Sequence, residues 1–161
     1  MKLLRFLVAA LAGLVLASCA SVHSRKDALC SEIAAFANQT EVSGTHEVAL
    51  TTVWGPTPQY PDSLFYKNCD HGEYEPGKRL CQYLMANTST EFPQHNFRRV
   101  LACLNGQKSG PPKYVSIERI ETLMWGVEVP GVRPEVTVGV AFADGAGKTP
   151  VLKVIARADQ P

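Results

Sequence analysis

Apolar positions change their period several times along the chain, and each change marks a predicted element. Leu29, Cys30, Ile33, Phe36 and Ala37 recur at helical spacing. Ser24-Arg25-Lys26-Asp27 just before them has the spacing of a capping box, with Asp27 in place of the usual Glu. The pattern predicts a helix ending near Asn38. From Thr45 to Trp54 the period falls to two, which places Val48, Leu50 and Trp54 on one side of a strand. Trp54 to Pro61 is rich in proline and cannot enter a sheet interior. Leu64 to Cys69 reads as a second strand, and Asp70 to Gly77 as a polar turn.

Helical spacing then returns twice. Pro76 or Gly77 opens a helix that gathers Leu80, Cys81, Leu84 and Met85 and stops near Asn87. Pro93 suits the first turn of the next helix, whose inner face is Phe97, Val100, Leu101 and Leu104, with Asn105-Gly106 as its C-cap. Beyond Gly110-Pro111-Pro112 come three predicted strands, about Tyr114–Trp125, Glu135–Ala143 and Val151–Ala158, with 127–134 and 144–150 as loops. Val136, Val138, Val140 and Phe142 share one face of the middle strand. The order α-β-β-α-α-β-β-β predicts an α+β fold: an antiparallel sheet of about five strands, with three helices packed mainly on one face. The last three strands are expected to form a meander, because consecutive strands usually pair.

The amino terminus follows a different rule. A short basic segment, Met1 to Arg5, precedes twelve uncharged residues, Phe6 to Ala17. That run is too short to span a bilayer, which takes about 20 apolar residues, and fits the apolar core of an export signal. Leu16-Ala17-Ser18-Cys19 comes next and resembles the lipobox of bacterial lipoproteins. The resemblance covers residues 1–20. It implies a thioether-linked diacylglycerol on Cys19, cleavage before that residue, and acylation of the new amino group. Residues 1–18 are then a signal peptide, 19–24 a lipidated tether and 25–161 one globular domain. Multiple acyl chains on Cys19 would hold the protein firmly to a membrane. Family members with Asp after the cysteine tend to stay in the inner membrane. Ala20 therefore implies the outer membrane, facing the periplasm, in a Gram-negative host.

Charge narrows the function classes. The chain carries +1 net, and loss of residues 1–18 removes Lys2 and Arg5, which leaves the remainder slightly acidic. A near-neutral domain has no electrostatic basis for binding nucleic acid. An apolar content of 45% is that of a folded domain.

Setting Cys19 aside, Cys30, Cys69, Cys81 and Cys103 predict two disulfides in an exported domain. Cys81 and Cys103 are equidistant from Phe92, in the turn between two expected antiparallel helices. That symmetry favours Cys81–Cys103 with Cys30–Cys69. The rival pairing is Cys69–Cys81 with Cys30–Cys103. A zinc set of Cys69, His71, Cys81 and Cys103 lacks the spacing of paired ligand turns, so no metal is expected.

No motif for chemistry stands out, and no catalytic residue or cofactor is assigned. Gly147-Lys148-Thr149 ends like a phosphate loop, but Phe142 stands where that pattern needs glycine. Asp70-His71 are adjacent on an extended chain and so face opposite ways. Trp54, Tyr60 and His71 form the candidate contact surface, because aromatics dominate binding energy and prolines stiffen the loop that carries them. The alternative for Trp54 is that it closes one end of the core. The leading expectation is a membrane-anchored envelope lipoprotein acting as a non-enzymatic protein-binding module of the inhibitor, immunity or assembly type. Its partners would be the membrane, through the acyl chains, and an envelope or secreted protein. Two alternatives are an envelope hydrolase using His71 with acidic neighbours such as Glu73 and Glu75, and a binder of a small ligand or wall fragment near Trp54 and Tyr60.

Overall fold

The computed structural model describes residues 28–56, 61–105, 122–126, 129, 131–145 and 148–159. Helix α1 spans Ala28–Asn38 and strand β1 spans Thr45–Trp54. Strand β2 (Phe65–Asp70), helix α2 (Glu75–Asn87) and helix α3 (Pro93–Leu104) follow. Strands β3 (Thr122–Gly126), β4 (Val136–Gly145) and β5 (Lys148–Ala158) complete the order. The predicted capping box at Ser24–Asp27 and the start of the strand predicted from Tyr114 lie outside the described residues.

The class is α+β. The strands pair antiparallel in the order β2-β1-β5-β4-β3, and β3 is described through its backbone pairing to β4 alone. The carboxy-terminal strands form the expected meander, β3 to β4 to β5. The pairing of β1 with β5 sets the first and last strands of the chain side by side inside the sheet. The segment 144–150, read as a loop, is instead mostly ladder: β4 runs to Gly145 and β5 starts at Lys148, with a register shift between Ala143 and Gly145. A tight hairpin needs fewer turn-forming residues than this segment offers, and the rest join the ladder.

One face of the sheet is apolar because every second residue on three strands is. Val48 and Leu50 of β1 sit beside Leu152 and Val154 of β5, which sit beside Val140 and Phe142 of β4. All six are buried, as are Val136, Val138 and Ala156 on the same face. The helices cover this face with Leu29, Ile33 and Phe36 from α1, Leu80 and Leu84 from α2, and Phe97 and Val100 from α3. Each of these fully buried large side chains contributes about 1.5–3 kcal/mol relative to exposure. The opposite face carries the Glu47–Lys153 ion pair at 2.8 Å. Pro76 and Pro93 both lie in first turns, where a missing N–H costs nothing. Met85, expected on the inner stripe of α2, is 39% exposed, since it falls on the flank of that helix.

The disulfides follow the rival pairing: Cys30–Cys103 and Cys69–Cys81. The favoured pairing assumed that α2 and α3 lie side by side because they are consecutive. They do not. Helix α1 packs between them, α2 lies over β1 and β2, and α3 lies over β4 and β5. Cys103 therefore meets α1, and Cys81 meets the neighbouring strand.

Two polar clamps fix the helix ends. The Lys67 ammonium on β2 donates to the carbonyls of Met85 (2.9 Å) and Thr88 (2.7 Å), which closes the carboxy-terminal end of α2. Burial pushes that ammonium below its ordinary pKa. In the turn between α2 and α3, the buried Asn96 amide accepts from Ser89 N–H (2.8 Å) and donates to Ser89 C=O (2.6 Å).

Candidate functional site

The residues grouped from the sequence as one contact surface divide into two places. Trp54 is the last residue of β1 and pairs with Phe65, the first of β2. His71 follows Asp70, which pairs with Ala49. Five residues of strand separate the two levels, roughly 17 Å. Tyr60 lies outside the described residues.

The first place is the tip of the β1–β2 hairpin. Trp54 shares the alternation of Val48 and Leu50, but β1 extends beyond the helices, so nothing described covers it. Trp54 is 61% exposed, Leu64 74% and Phe65 64%. The expectation that Trp54 closes the core is therefore overturned. The indole and the Phe65 ring stack across the ladder with centroids 6.5 Å apart. Gly55 N–H donates to Leu64 C=O at 2.7 Å and holds the end of the hairpin together.

The second place is a shallow groove of about 530 Å³ between β2 and α2. Cys69 and Cys81 line it and are joined to each other, so a covalent bond ties its two walls. Asn68 and His71 stand on the strand side, and Lys78, Gln82, Met85 and Ala86 on the helix side. Gly77 sets the approach of α2 to β1. A Cβ there would lie 3.1 Å from His71 Cβ and 3.2 Å from Val48 Cγ2, closer than ordinary contact.

Two of the carboxylates near His71 are engaged elsewhere. Asp70 Oδ1 accepts from Gly72 N–H at 3.0 Å, and Glu75 pairs with Lys78 at 2.9 Å. His71 Nδ1 is buried with no hydrogen-bond partner among the described residues. An acid–base pair needs the two groups within hydrogen-bond reach, and the Asp70 and Glu75 contacts supply none for His71. Both disulfides consume the thiols of the zinc set considered above. Among the described residues no three of His, Cys, Asp and Glu gather to hold a metal ion, and no helix is long and apolar enough to cross a membrane.

A third cluster lies at the opposite end of the sheet from the tip. Tyr74 stacks on His46 (3.6 Å between centroids) and meets Phe36 edge-on at 5.8 Å. Burial raises the Tyr74 phenol above its ordinary pKa. The Thr40 hydroxyl opposes the rise, Glu41 adds to it and Arg133 opposes it. Sequence reasoning missed this cluster because its members come from four separate segments. It fills space at the foot of α1 and α2.

No family model, no curated protein and no solved structure matches the chain. The functional reading therefore rests on the residues and their geometry.

Proposed function

We propose that the protein is an envelope lipoprotein, held to the membrane by acyl chains on Cys19, whose folded domain binds a protein partner and performs no chemistry of its own. The observation that carries the binding reading is the groove between β2 and α2, whose walls are tied by Cys69–Cys81. A rigid concave strip loses little entropy when a partner settles on it. The polar side chains along it supply directional contacts, and Met85 and Ala86 supply apolar ones. The hydrolase reading finds no support in the neighbours of His71, because Asp70 and Glu75 are occupied as described and neither they nor Glu73 bonds the buried His71 Nδ1.

Two measurements test the two halves. Labelling host cells with an alkyne fatty acid should mark the wild-type protein and leave Cys19→Ser unmarked; equal labelling of both refutes the anchor. A photo-crosslinking amino acid replacing Gln82, which is exposed on the groove, should give one discrete protein adduct in intact envelopes. The same group replacing Arg157, exposed on β5, should not. Adducts of equal yield at both positions, or at neither, refute the groove as the binding surface.

A further inference from the structure

Three large apolar side chains stand next to one another at the hairpin tip, and none is more than 40% covered. Single exposed apolar residues are common on soluble domains, but an adjacent group marks a contact surface. We propose that this tip, Trp54 with Leu64 and Phe65, rests in the interfacial layer of the same membrane that the acyl chains enter, and so sets the orientation of the domain. The inference rests on the lipid-anchor reading above.

The direction of the chain supports it. Along α1, Glu32 pairs with Arg79 of α2, and one turn later Phe36 meets Tyr74, just before α2 begins. Helix α1 therefore runs antiparallel to α2. Tyr74 stacks on His46 at the start of β1, and the end of α2 is held by Lys67 near the start of β2. The amino-terminal end of α1 thus points toward the same end of the molecule as the tip. Cys19 precedes Ala28 by nine residues, which reach at most roughly 30 Å. The anchor and the tip can meet one surface together.

The chemistry of the tip fits that surface. Tryptophan is enriched where a bilayer meets water, because its body is apolar and its N–H stays wet. Leu64 and Phe65 add apolar area of the kind that amphipathic surfaces bury about 5–10 Å into the headgroup and acyl boundary. The other end of the domain presents the turn of residues 39–44 and the exposed Val42. In this orientation the groove runs away from the bilayer, and its His71 end stays open to a protein partner.

The test uses the mature lipoprotein in vesicles of phosphatidylethanolamine and phosphatidylglycerol, with or without bromine on the acyl chains. The difference in emission between wild type and Trp54→Phe isolates the Trp54 signal from that of Trp125. Bromolipid should reduce this signal roughly twofold, the result of shallow burial. In the Trp54→Phe background, Phe65→Trp should restore a quenched signal, and Val42→Trp should add one that bromolipid leaves unchanged. All three positions are exposed, so the variants keep the core intact.

An unquenched Trp54 signal in protein that floats with the vesicles overturns the proposal and leaves the anchor standing. Equal quenching at positions 42 and 54 overturns the fixed orientation. Failure to float overturns the anchor and the tip together. A protein crosslinked to position 54 in native envelopes, with no lipid quenching, overturns the membrane contact in favour of a protein one.

Discussion

Removing each disulfide in turn separates the roles of the two crosslinks. Cys30–Cys103 closes a separation of 73 residues and Cys69–Cys81 one of 12. On the chain-entropy model the first contributes about 4.5 kcal/mol and the second about 3, a gap of roughly 1.5 kcal/mol. Packing widens the gap. Cys103 is fully buried and Cys30 nearly so; in the second pair Cys81 is buried too, and Cys69 is only partly buried on the groove. Truncation of the first pair to alanine therefore leaves a void at two core positions, and truncation of the second at one. The double variant Cys30→Ala/Cys103→Ala should melt roughly 5–7 °C below Cys69→Ala/Cys81→Ala, at about 3–5 °C per kcal/mol for a domain of this size. Circular dichroism during heating and urea titration gives both values. Differential alkylation during mild reduction adds an independent check, because the Cys69–Cys81 bond, reachable at the partly exposed Cys69, should open first. Equal stability of the two variants, or a peptide that joins Cys81 to Cys103, would refute the reasoning.

Two further outcomes follow from buried polar groups. Asn96→Ala strips the partner from both backbone groups of Ser89 and should cost about 2–3 kcal/mol in urea unfolding, with the slope unchanged; a loss under about 0.5 kcal/mol would mean that water replaces the amide freely. Tyr74 has its phenol raised above 10.0, so its linked stability is fully present below that pH and is lost as the pH climbs through the folded-state value. Tyr74→Phe should remove that alkaline decline in urea midpoints taken between about pH 9 and about pH 11.5, and identical slopes in the two proteins would show that the phenol is not the cause.

Much of the fold can be read from side-chain period alone. Helix α1 ends at Asn38 and β1 spans Thr45–Trp54, as the apolar spacing requires, and Pro93 opens α3 where a proline is best tolerated. The even positions of β4 from Val136 to Phe142 carry its buried side chains. Period is local, however, and says nothing about which helix lies beside which. The disulfide pairing depended on α1 packing between α2 and α3, a contact between distant segments that no spacing records. The pairing of β1 with β5 is of the same kind. Trp54 fails for a third reason. Alternation gives the face on which a residue sits, but exposure depends on whether the facing layer extends that far, and here the helices stop short of the hairpin tip. The Cys19 reading rests on a linear motif outside the described residues, so the fold does not test it.

The strand that carries both candidate surfaces is an edge strand of the sheet. β2 is six residues long, and among the described strands it pairs with β1 alone. A short strand at the margin of a sheet is the part expected to open first. Three interactions here hold it in place instead: the antiparallel ladder to β1, the Cys69–Cys81 bond to α2, and the Lys67 ammonium clamped on the end of the same helix. Two of the three tie strand to helix, and they lie between the aromatic tip and His71. They fix the walls of the groove relative to each other and fix the tip relative to both. A domain that only needed a core could leave this margin loose, because the core lies under β1, β4 and β5. Under the proposed binding role, rigidity concentrated at the margin would favour association, because an ordered surface avoids the entropy cost of immobilising side chains and backbone at the moment of contact.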